Sequence, residues 1–535
     1  MAPNKLESES TTKLSSNNMN GIDTTQTKCP FTSSSSFDDN GNHKDECTIK
    51  AKPFNTIPGP WPSLPLIGTQ WQYFSFVGGY DVFHLHEAYR DRYHKYGNIV
   101  RETFRGGQSL IHIYDPNDFE IVFRSTRTNP MRPPNEFVSM LRTSRSDRYP
   151  NIGFPNMNGP EWWSERRKVA PAMNKMRTIQ ELMDGQNQIC TDFLEYLWSI
   201  RDADSGLIDD LHSILSKLSL EAIGFMCLDS RMHSFPYGKD DDSSDVADGV
   251  KLIEAANLLF SSFNRLFYGI PIWKFIPTEA YRDLMKAEST LFEIAEKYVN
   301  REIEQHESEM FVSSNSVLKT LLQSPDLNRN EVKVAIVDLI AGGIFTVTNA
   351  MVFLMYTLAA NPDAQEKLYQ EIVSIIGDNS SEYLVRYADI SRMTYLKACV
   401  TESFRMNGPI PGVFRITTEP IVLSGYQIPS NTPIFIHSMT TCKTEKYFPD
   451  ADQYKPERWL NEDAKPHPYA LLPFGFGSRV CIGKRFAENQ INLAIIRIIQ
   501  EYRLELAPGL PKQIDLLHSF LMIPAYKISM RIIRR

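Results

Sequence analysis

The chain of 535 residues carries, at positions 473–486, the stretch PFGFGSRVCIGKRF, and this stretch decides the fold. Gly475 and Gly477 permit a tight loop, because glycine adopts backbone angles that other residues avoid. Cys481 lies just before a predicted helix, where unpaired backbone N–H groups and the helix dipole stabilise a thiolate. The stretch therefore predicts a ligand-binding cysteine at the end of a glycine-rich loop.

Two further residues indicate what such a cysteine binds. Gly483 lacks a side chain, so a flat group can approach the helix start closely, and Arg479 can pair with an acidic group on the same ligand. A lone thiolate in this setting suits an axial bond to haem iron. On the cysteine alone, the simpler alternative is a buried cysteine in a glycine-rich turn, since free cysteine usually behaves as a small apolar residue.

The stretch resembles the haem-binding signature of the cytochrome P450 monooxygenases, F-x-x-G-x-R-x-C-x-G. All five fixed positions match, at Phe474, Gly477, Arg479, Cys481 and Gly483. Because half of the ten residues are constrained, the match is highly specific. It implies the cytochrome P450 fold, which is mainly α with a small β portion (α+β), with a long central helix over the haem and minor β-sheets.

Four other motifs of that family stand at the expected intervals, so the resemblance covers residues 57 to 535. In chain order they are W-x-x-x-R at Trp162 to Arg166, A-G-G with a threonine at Ala341 to Thr346, E-x-x-R at Glu402 to Arg405, and P-E-R-F at Pro456 to Trp459, with tryptophan in the last position. An E-x-x-R pattern alone indicates no more than an ordinary ion pair on a helix. Its place in this order argues against that alternative.

The resemblance implies a role for each matched residue, with haem b as the cofactor. Cys481 is the axial metal ligand and, together with Thr346, the catalytic residue. The residues implied for cofactor binding are Trp162, Arg166, Arg415, Phe474, Arg479, Cys481 and Gly483. For Arg415 the alternative is a surface arginine. A buried ion network that locks the cysteine loop is implied for Glu402, Arg405 and Arg458.

The central helix departs from the family pattern at one position. The family usually has an acid immediately before the threonine, whereas this sequence has Phe345 before Thr346. The threonine still offers a hydroxyl that passes protons, but the carboxylate that would relay them is missing. We therefore expect proton delivery by water, by a residue such as Thr348 or Asn349, or by a hydroxyl of the substrate. The departure also leaves open an isomerase-like or peroxide-rearranging activity that needs no external electrons.

Hydrophobic patterning outside the motifs fits a mostly α chain. A helix predicted from about Glu331 to Ala360 is apolar nearly all round, which indicates burial at the centre of a large protein, and Pro362 ends it. Further helices are predicted at 362–376, 394–406 and 484–502. Short alternating runs predict strands near 99–101, 110–114, 421–423 and 433–437. Irregular polar stretches are predicted at Gly238 to Ser244 and Asn315 to Asn330.

The first 56 residues predict a disordered leader, because they contain too few apolar residues to offset the entropy of ordering. No window in them approaches the roughly 20 apolar residues of a membrane helix or the apolar core of a secretory signal. They contain no arginine and more acids than lysines, unlike a typical mitochondrial transit peptide. The predicted organisation is a leader over 1–56, at most an atypical targeting segment, and one catalytic domain over 57–535.

Charge and cysteine content exclude several classes of protein. The chain has 57 Lys plus Arg against 64 Asp plus Glu, a net charge of −7, which argues against nucleic-acid binding. Seven scattered cysteines without a C-x-x-C pair argue against a secreted disulfide framework and a ribbon-type zinc site. We expect a monomer that associates peripherally with a membrane, without a transmembrane helix.

Basic residues near the cysteine motif indicate the electron donor. Lys397 matches a position at which mitochondrial members of the family dock ferredoxin, and Lys484 and Arg485 add charge on the same face. Thr401 departs from the pattern, which usually has a second lysine there. A basic patch steers an acidic, adrenodoxin-like ferredoxin, and the alternative is a merely solvated basic face. We expect a member of the mitochondrial branch, located on the matrix side of the inner membrane. The alternative is a protein of the endoplasmic reticulum that receives electrons from a flavoprotein reductase.

The predicted substrate is a small lipophilic molecule that is oxidised with O2. The segments expected to line its pocket are mostly apolar: 132–148, the helices between 205 and 275, Ile344-Phe345, 410–413 and 519–521. Segments around Arg132 and Asp147 resemble those of arthropod ecdysteroid hydroxylases of the mitochondrial branch, of the ecdysone 20-monooxygenase type, which implies a steroid. The alternatives are oxidation of xenobiotics, a haem-thiolate isomerase or dehydratase, and a non-enzymatic haem sensor.

Overall fold

Helices make up most of the computed structural model, which describes residues 51–65, 67–73, 77–235, 244–269, 271–307, 316–378, 383–461 and 465–535. The α-helices of these ranges are Leu85–Tyr96 (α1), Pro116–Ser125 (α2), Glu136–Ser144 (α3), Gly159–Asn174 (α4), Met176–Glu181 (α5), Met183–Ile200 (α6), Leu211–Leu228 (α7), Ser244–Tyr268 (α8), Glu279–Glu307 (α9), Val317–Leu322 (α10), Arg329–Ala360 (α11), Pro362–Ile376 (α12), Tyr387–Arg392 (α13), Thr394–Asn407 (α14), Ser438–Cys442 (α15) and Lys484–Glu501 (α16). The predicted fold class is confirmed.

The strands are short and form small sheets at the edges of the helical body. They are Ile99–Thr103 (β1), Ser109–Ile113 (β2), Leu207–Ile208 (β3), Val413–Ile416 (β4), Ile421–Leu423 (β5), Tyr426–Ile428 (β6), Pro433–Ile436 (β7), Tyr502–Leu506 (β8), Leu516–Ser519 (β9), Leu521–Pro524 (β10) and Met530–Arg534 (β11). The described sheets have the orders β1-β2-β7-β4, β3-β11-β8, β10-β9 and β5-β6. Pairing is antiparallel except between β2 and β7.

The predicted central helix is α11, which packs against α7, α8, α9, α14 and α16. Its start is fixed by a capping box, in which the Asn328 side chain accepts from the N–H of Glu331 at 2.9 Å and the Glu331 carboxylate accepts from the N–H of Asn328 at 2.9 Å. One large apolar cluster surrounds its first half and another its second half, as its all-round apolar pattern predicts. It ends at Ala360, just before Pro362.

Two helices in the described part of the chain, Leu211–Leu228 and Arg329–Ala360, are long and apolar enough to cross a membrane. Most of each helix is buried inside the fold. Burial in the core is sufficient to account for their composition.

The boundaries differ from the prediction in two places, and one predicted stretch lies almost wholly outside the described residues. Within the predicted leader, 1–50 lies outside the described residues, and Lys52 already pairs with Tyr426 of β6, so the folded unit begins before position 57. Of the irregular stretch predicted at 238–244, all but Ser244 lies outside the described residues. The prediction for 315–330 was wrong in part, because α10 lies within it: three apolar residues at helical spacing, Val317, Leu318 and Leu321, are buried there.

Candidate active site

The cysteine loop has the tight geometry that its glycines predict. Gly475 and Gly477 have φ angles of 72° and 73°, a region that favours glycine. The N–H of Cys481 donates to the carbonyl of Phe474 at 2.9 Å and closes the loop. Gly483 precedes α16, and a side chain there would meet nothing nearer than Met173 at 3.9 Å. A flat group can therefore approach this end of the helix.

The loop and the central helix face each other across one cavity of about 560 Å³. Cys481 lines it from one side, and Gly342 and Thr346 of α11 line it as well. Burial raises the pKa of the Cys481 thiol, although the N–H of Gly483 and the charge of Arg166 act in the opposite direction. Desolvation therefore opposes the thiolate that the helix start was predicted to stabilise. A cation at the sulfur would hold it, because a thiol that coordinates a metal is deprotonated.

Four arginines lie around the same cavity, namely Arg132, Arg166, Arg415 and Arg479. None of them forms a salt bridge with a carboxylate in the ranges that the structure describes. Burial lowers the pKa of Arg132 to about 10. Burial and, to a smaller extent, neighbouring arginines lower the pKa of Arg415 to about 9 and that of Arg479 to about 8. The Nε atom of Arg415 is buried and has no hydrogen-bond partner. Such a cluster fits a ligand with more than one negative charge, as haem has in its two carboxylates.

Helix α4 ties this arginine cluster to the cysteine loop. Trp162 and Arg166 are four residues apart, so they lie on one face of the helix. Arg166 donates to the carbonyl of Val480 at 3.0 Å, and the guanidinium of Arg479 lies 4.3 Å from the centre of the buried Trp162 ring. Phe474 also lines the cavity and packs edge-on against Phe404. The structure therefore brings together every residue predicted for cofactor binding.

A second cluster holds the segments behind the loop in place. The carboxylate of Glu402 accepts from Arg405 twice, at 2.9 Å each, and from Arg458 at 2.9 Å. Arg405 also donates to the carbonyls of Cys442, Ala451 and Gln453. Glu402 and Arg405 are fully buried. This is the arrangement predicted for Glu402, Arg405 and Arg458.

The residues of α11 around Thr346 differ in whether they face the cavity or the protein interior. Thr346 faces the cavity and donates to the carbonyl of Gly342 at 2.6 Å. Phe345 instead stacks on Phe260, with 4.7 Å between ring centres. Thr348 and Asn349 are fully buried and donate to carbonyls of their own helix. Their predicted part in proton delivery was wrong in geometric terms, since neither lines the cavity that the described residues enclose.

The cavity walls agree in large part with the predicted segments. Arg132 to Arg142, Leu259 to Tyr268, Ile410 to Val413 and Phe520-Leu521 contribute to them. Ile344 and Phe345 do not; both are buried among apolar side chains, and Phe345 stacks on the wall residue Phe260. Arg132 was predicted as a wall residue and lies in the arginine cluster. Asp338 was not predicted to line the cavity, and no family motif at its position indicated it.

The residues predicted for docking a redox partner lie at the surface. Lys397, Lys484 and Arg485 are all exposed. Lys397 donates to the carbonyl of Ser391 at 2.6 Å, and Lys484 lies 3.8 Å from Glu488. Lys484 and Arg485 open α16 directly after the cysteine loop, so two of the three cations lie beside the cavity's cysteine wall.

Comparison with known proteins agrees with this geometry. The Cytochrome P450 family model matches residues 58–530. Among the similar curated proteins, "Cytochrome P450 302a1, mitochondrial" of Drosophila melanogaster is 32% identical over 86% of this chain and 91% of its own length. "Ecdysone 20-monooxygenase" of Drosophila melanogaster is 29% identical over 89% and 88%. "1,25-dihydroxyvitamin D(3) 24-hydroxylase, mitochondrial" of Mus musculus is 28% identical over 88% of each chain. The chain therefore belongs to the cytochrome P450 family.

Proposed function

We propose that this protein is a haem-thiolate monooxygenase that hydroxylates a steroid-like substrate with O2 and with electrons from a ferredoxin. One observation carries the proposal: the Cys481 thiol and the Thr346 hydroxyl face a single cavity beside a cluster of arginines that have no carboxylate partner among the described residues. The reaction consumes one O2, two electrons and two protons, and it releases the hydroxylated substrate and one water.

The residues of the cavity fit haem b as the cofactor. Cys481 would be the metal ligand. Trp162, Arg166, Arg415 and Arg479 would hold the two carboxylates through charge-assisted hydrogen bonds, with Arg132 as a fifth member. Phe474 and Gly483 would border the flat face. When bound, haem supplies the activation of O2 and the transfer of one oxygen atom to carbon.

Thr346 would serve as the proton-handling group on the opposite wall. Its hydroxyl donates to the carbonyl of Gly342, so its oxygen keeps lone pairs free to accept a proton from a donor in the cavity. The same hydroxyl can pass a proton on, which the reaction requires twice in each turnover. The buried network of Glu402, Arg405 and Arg458 would act through the fold alone, by fixing the loop that carries Cys481.

The substrate proposal rests on the walls and on the relatives. Phe260, Phe263, Phe520 and Leu521 form an apolar surface in the cavity, which suits a rigid lipophilic molecule. Two of the similar proteins are named for hydroxylation of ecdysone and of a vitamin D derivative. Both names support a steroid-like substrate, and an ecdysteroid is the most specific candidate.

The donor and the compartment follow from the basic surface and from the names of the relatives. Exposed Lys397, Lys484 and Arg485 would attract an acidic, adrenodoxin-like ferredoxin by long-range electrostatics. Two of the similar proteins are named mitochondrial, which supports a mitochondrial location. We propose the matrix side of the inner membrane. We propose a monomer in peripheral contact with that membrane.

A second candidate is a haem-thiolate isomerase or dehydratase that needs no external electrons. Phe345 favours it, because the acid that usually precedes the threonine is absent and the phenylalanine, which stacks on Phe260, has no group that relays protons. The reconstituted enzyme decides between the two. Purified protein loaded with haem is mixed with ferredoxin, its reductase, NADPH and a panel of steroids. A monooxygenase gives product that carries ¹⁸O from labelled O2 and requires ferredoxin, whereas product without ferredoxin and without label would support the isomerase.

A further inference from the structure

Asp338 lies on α11 on the same side as Thr346 and lines the same cavity. We infer that Asp338 supplies protons to the Thr346 hydroxyl and so replaces the acid that is absent at position 345. This inference rests on the proposed monooxygenase function and adds to it the source of the two protons consumed in each turnover.

The spacing along the helix places the two groups on one line. Asp338, Gly342 and Thr346 are separated by four residues each, so they follow one face of α11. The eight residues from Asp338 to Thr346 span about 12 Å. Gly342 lies between them, and a side chain at this position would meet nothing within 4 Å. No side chain therefore blocks the face of α11 between the acid and the hydroxyl.

The charges around Asp338 indicate that it takes up a proton. Arg142 forms a two-pronged contact with Glu288, at 3.0 and 3.1 Å, and a single contact with Asp338 at 2.8 Å. All three side chains are at least nine-tenths buried. One arginine thus serves two buried carboxylates, and Glu288 has the better geometry. If Asp338 gains a proton, the charges of Arg142 and Glu288 balance each other.

The second oxygen of Asp338 is the atom that remains available. Its Oδ2 is buried and has no hydrogen-bond partner in the structure. Burial and the negative charge of Glu288 raise the pKa of the carboxyl, although Arg142 and the N–H of Phe154 oppose them. A buried, unpaired carboxylate oxygen is costly in the ionised form. A protonated Oδ2 can instead donate to water in the cavity that Asp338 lines.

Other carboxyl groups lead from Asp338 toward the surface. Burial raises the pKa of Glu165, and the negative charges of Glu331 and Asp338 contribute. Lys168 lies 3.6 Å from Glu165 and 3.4 Å from Glu331. Glu331 belongs to the first turn of α11, so a chain of groups runs from the helix start to Asp338. Arg132 is the remaining charged group near Asp338. The negative charge of Asp338 partly opposes the lowering of the Arg132 pKa by burial.

A measurement that needs no turnover tests the protonation directly. Protein containing ¹³C-labelled aspartate is titrated by infrared spectroscopy, with Asp338→Asn as the assignment control. We expect a carboxylic acid band that the variant lacks and that disappears with a midpoint above the ordinary aspartate value of about 4. If the wild-type protein shows no such band, or if the band titrates at the ordinary value, the inference is overturned whatever the variant does in turnover.

Turnover with ferredoxin then tests the transfer. Asp338→Asn should lower the rate of product formation about 10- to 100-fold, raise the solvent deuterium isotope effect and leave haem content unchanged. Asp338→Glu should recover part of the rate. Glu288→Gln removes a carboxylate from the same arginine, and it should leave the isotope effect as in the wild type.

The outcomes separate the inference from a structural role and from the proposed function. If Asp338→Asn loses haem and stability and keeps the wild-type isotope effect, Asp338 is a counter-ion of Arg142 and no more, and the inference fails. If the wild-type protein makes no ferredoxin-dependent product, the proposed function fails, and the infrared titration alone decides whether Asp338 holds a proton.

Discussion

Trp459 donates its indole N–H to the Glu402 carboxylate at 2.9 Å. The family usually has phenylalanine at this position, so the tryptophan adds one donor to a carboxylate that two arginines already bind. We expect Trp459→Phe to lower the free energy of unfolding by about 1–3 kcal/mol, because a hydrogen bond to a buried charge is lost. Denaturant unfolding measures this change.

Trp163 provides the matched control for that variant. Its indole N–H donates to the carbonyl of Thr128 at 2.9 Å, near the surface. Trp163→Phe should cost less than Trp459→Phe, since water can replace the lost donor. If the two variants lose equal free energy of unfolding, the hydrogen bond to Glu402 contributes no more to stability than a hydrogen bond near the surface.

Removal of the central carboxylate should have a larger effect. Glu402→Gln leaves Arg405 buried beside a neutral amide, and we expect a loss of about 3–5 kcal/mol in unfolding free energy together with poor haem retention. Glu120→Gln breaks an exposed pair with Arg124, and it should cost less than about 1 kcal/mol. A small loss for Glu402→Gln would contradict the account of the network.

Arg415→Met should change stability in opposite directions with and without haem. Burial lowers the pKa of Arg415 to about 9 in the protein alone. Because this pKa lies below the unfolded value, the charged group destabilises the fold at any pH below about 9, and the cost disappears as pH rises above it. The variant should therefore raise the melting temperature of haem-free protein at pH 7 and lower that of haem-loaded protein. A change of the same sign in both forms would rule out a propionate role.

Phe345→Asp should not restore the family's usual acid. Phe345 packs against Phe260, with His212 at the ring edge, 6.1 Å from centre to centre. A carboxylate there would be buried without a cationic partner, because burial also lowers the pKa of His212 and keeps it neutral. We expect a lower melting temperature and no gain in coupling of electrons to product. Phe345→Leu, which keeps the site apolar, should retain more stability.

Lys397→Glu should weaken reduction by ferredoxin. Reversal of one charge on a steering surface lowers the association rate, more strongly at low salt. Stopped-flow reduction at two ionic strengths measures the effect. Lys251→Glu makes the same charge change on α8, where 59% of the lysine side chain is exposed. If both variants slow reduction equally, net charge accounts for the effect and Lys397 is not part of the docking surface.

Local patterns predicted the elements and the cysteine loop well. The bounds of α12 and β5 agree with the prediction, and α11 and α14 differ from it by two residues or fewer at each end. These segments are defined by proline, glycine and apolar periodicity, which act over a few residues. Arg415 was correctly preferred as a cavity residue, because its family motif outweighed the alternative of a surface arginine.

Local patterns did not predict contacts between residues that lie far apart in the sequence. Arg142 meets Glu288 across 146 positions, and nothing near either residue indicates the other. No sequence motif indicated that Asp338 lines the cavity. Thr348 and Asn349 were named for their hydroxyl and amide groups. The helical rotation of about 100° per residue turns Thr348 away from the face of Thr346, whereas Asn349 is fully buried and donates to the carbonyl of Phe345. Side-chain direction within a fully buried helix depends on the fold around it.

The reduced, haem-loaded protein in the presence of carbon monoxide tests the central claim most directly. We predict a Soret band of the thiolate-ligated type in the wild-type protein and the loss of that band in Cys481→Ser, with the melting temperature of the haem-free form little changed. A wild-type protein that binds no haem, or a Cys481→Ser variant with the wild-type spectrum, would contradict the account.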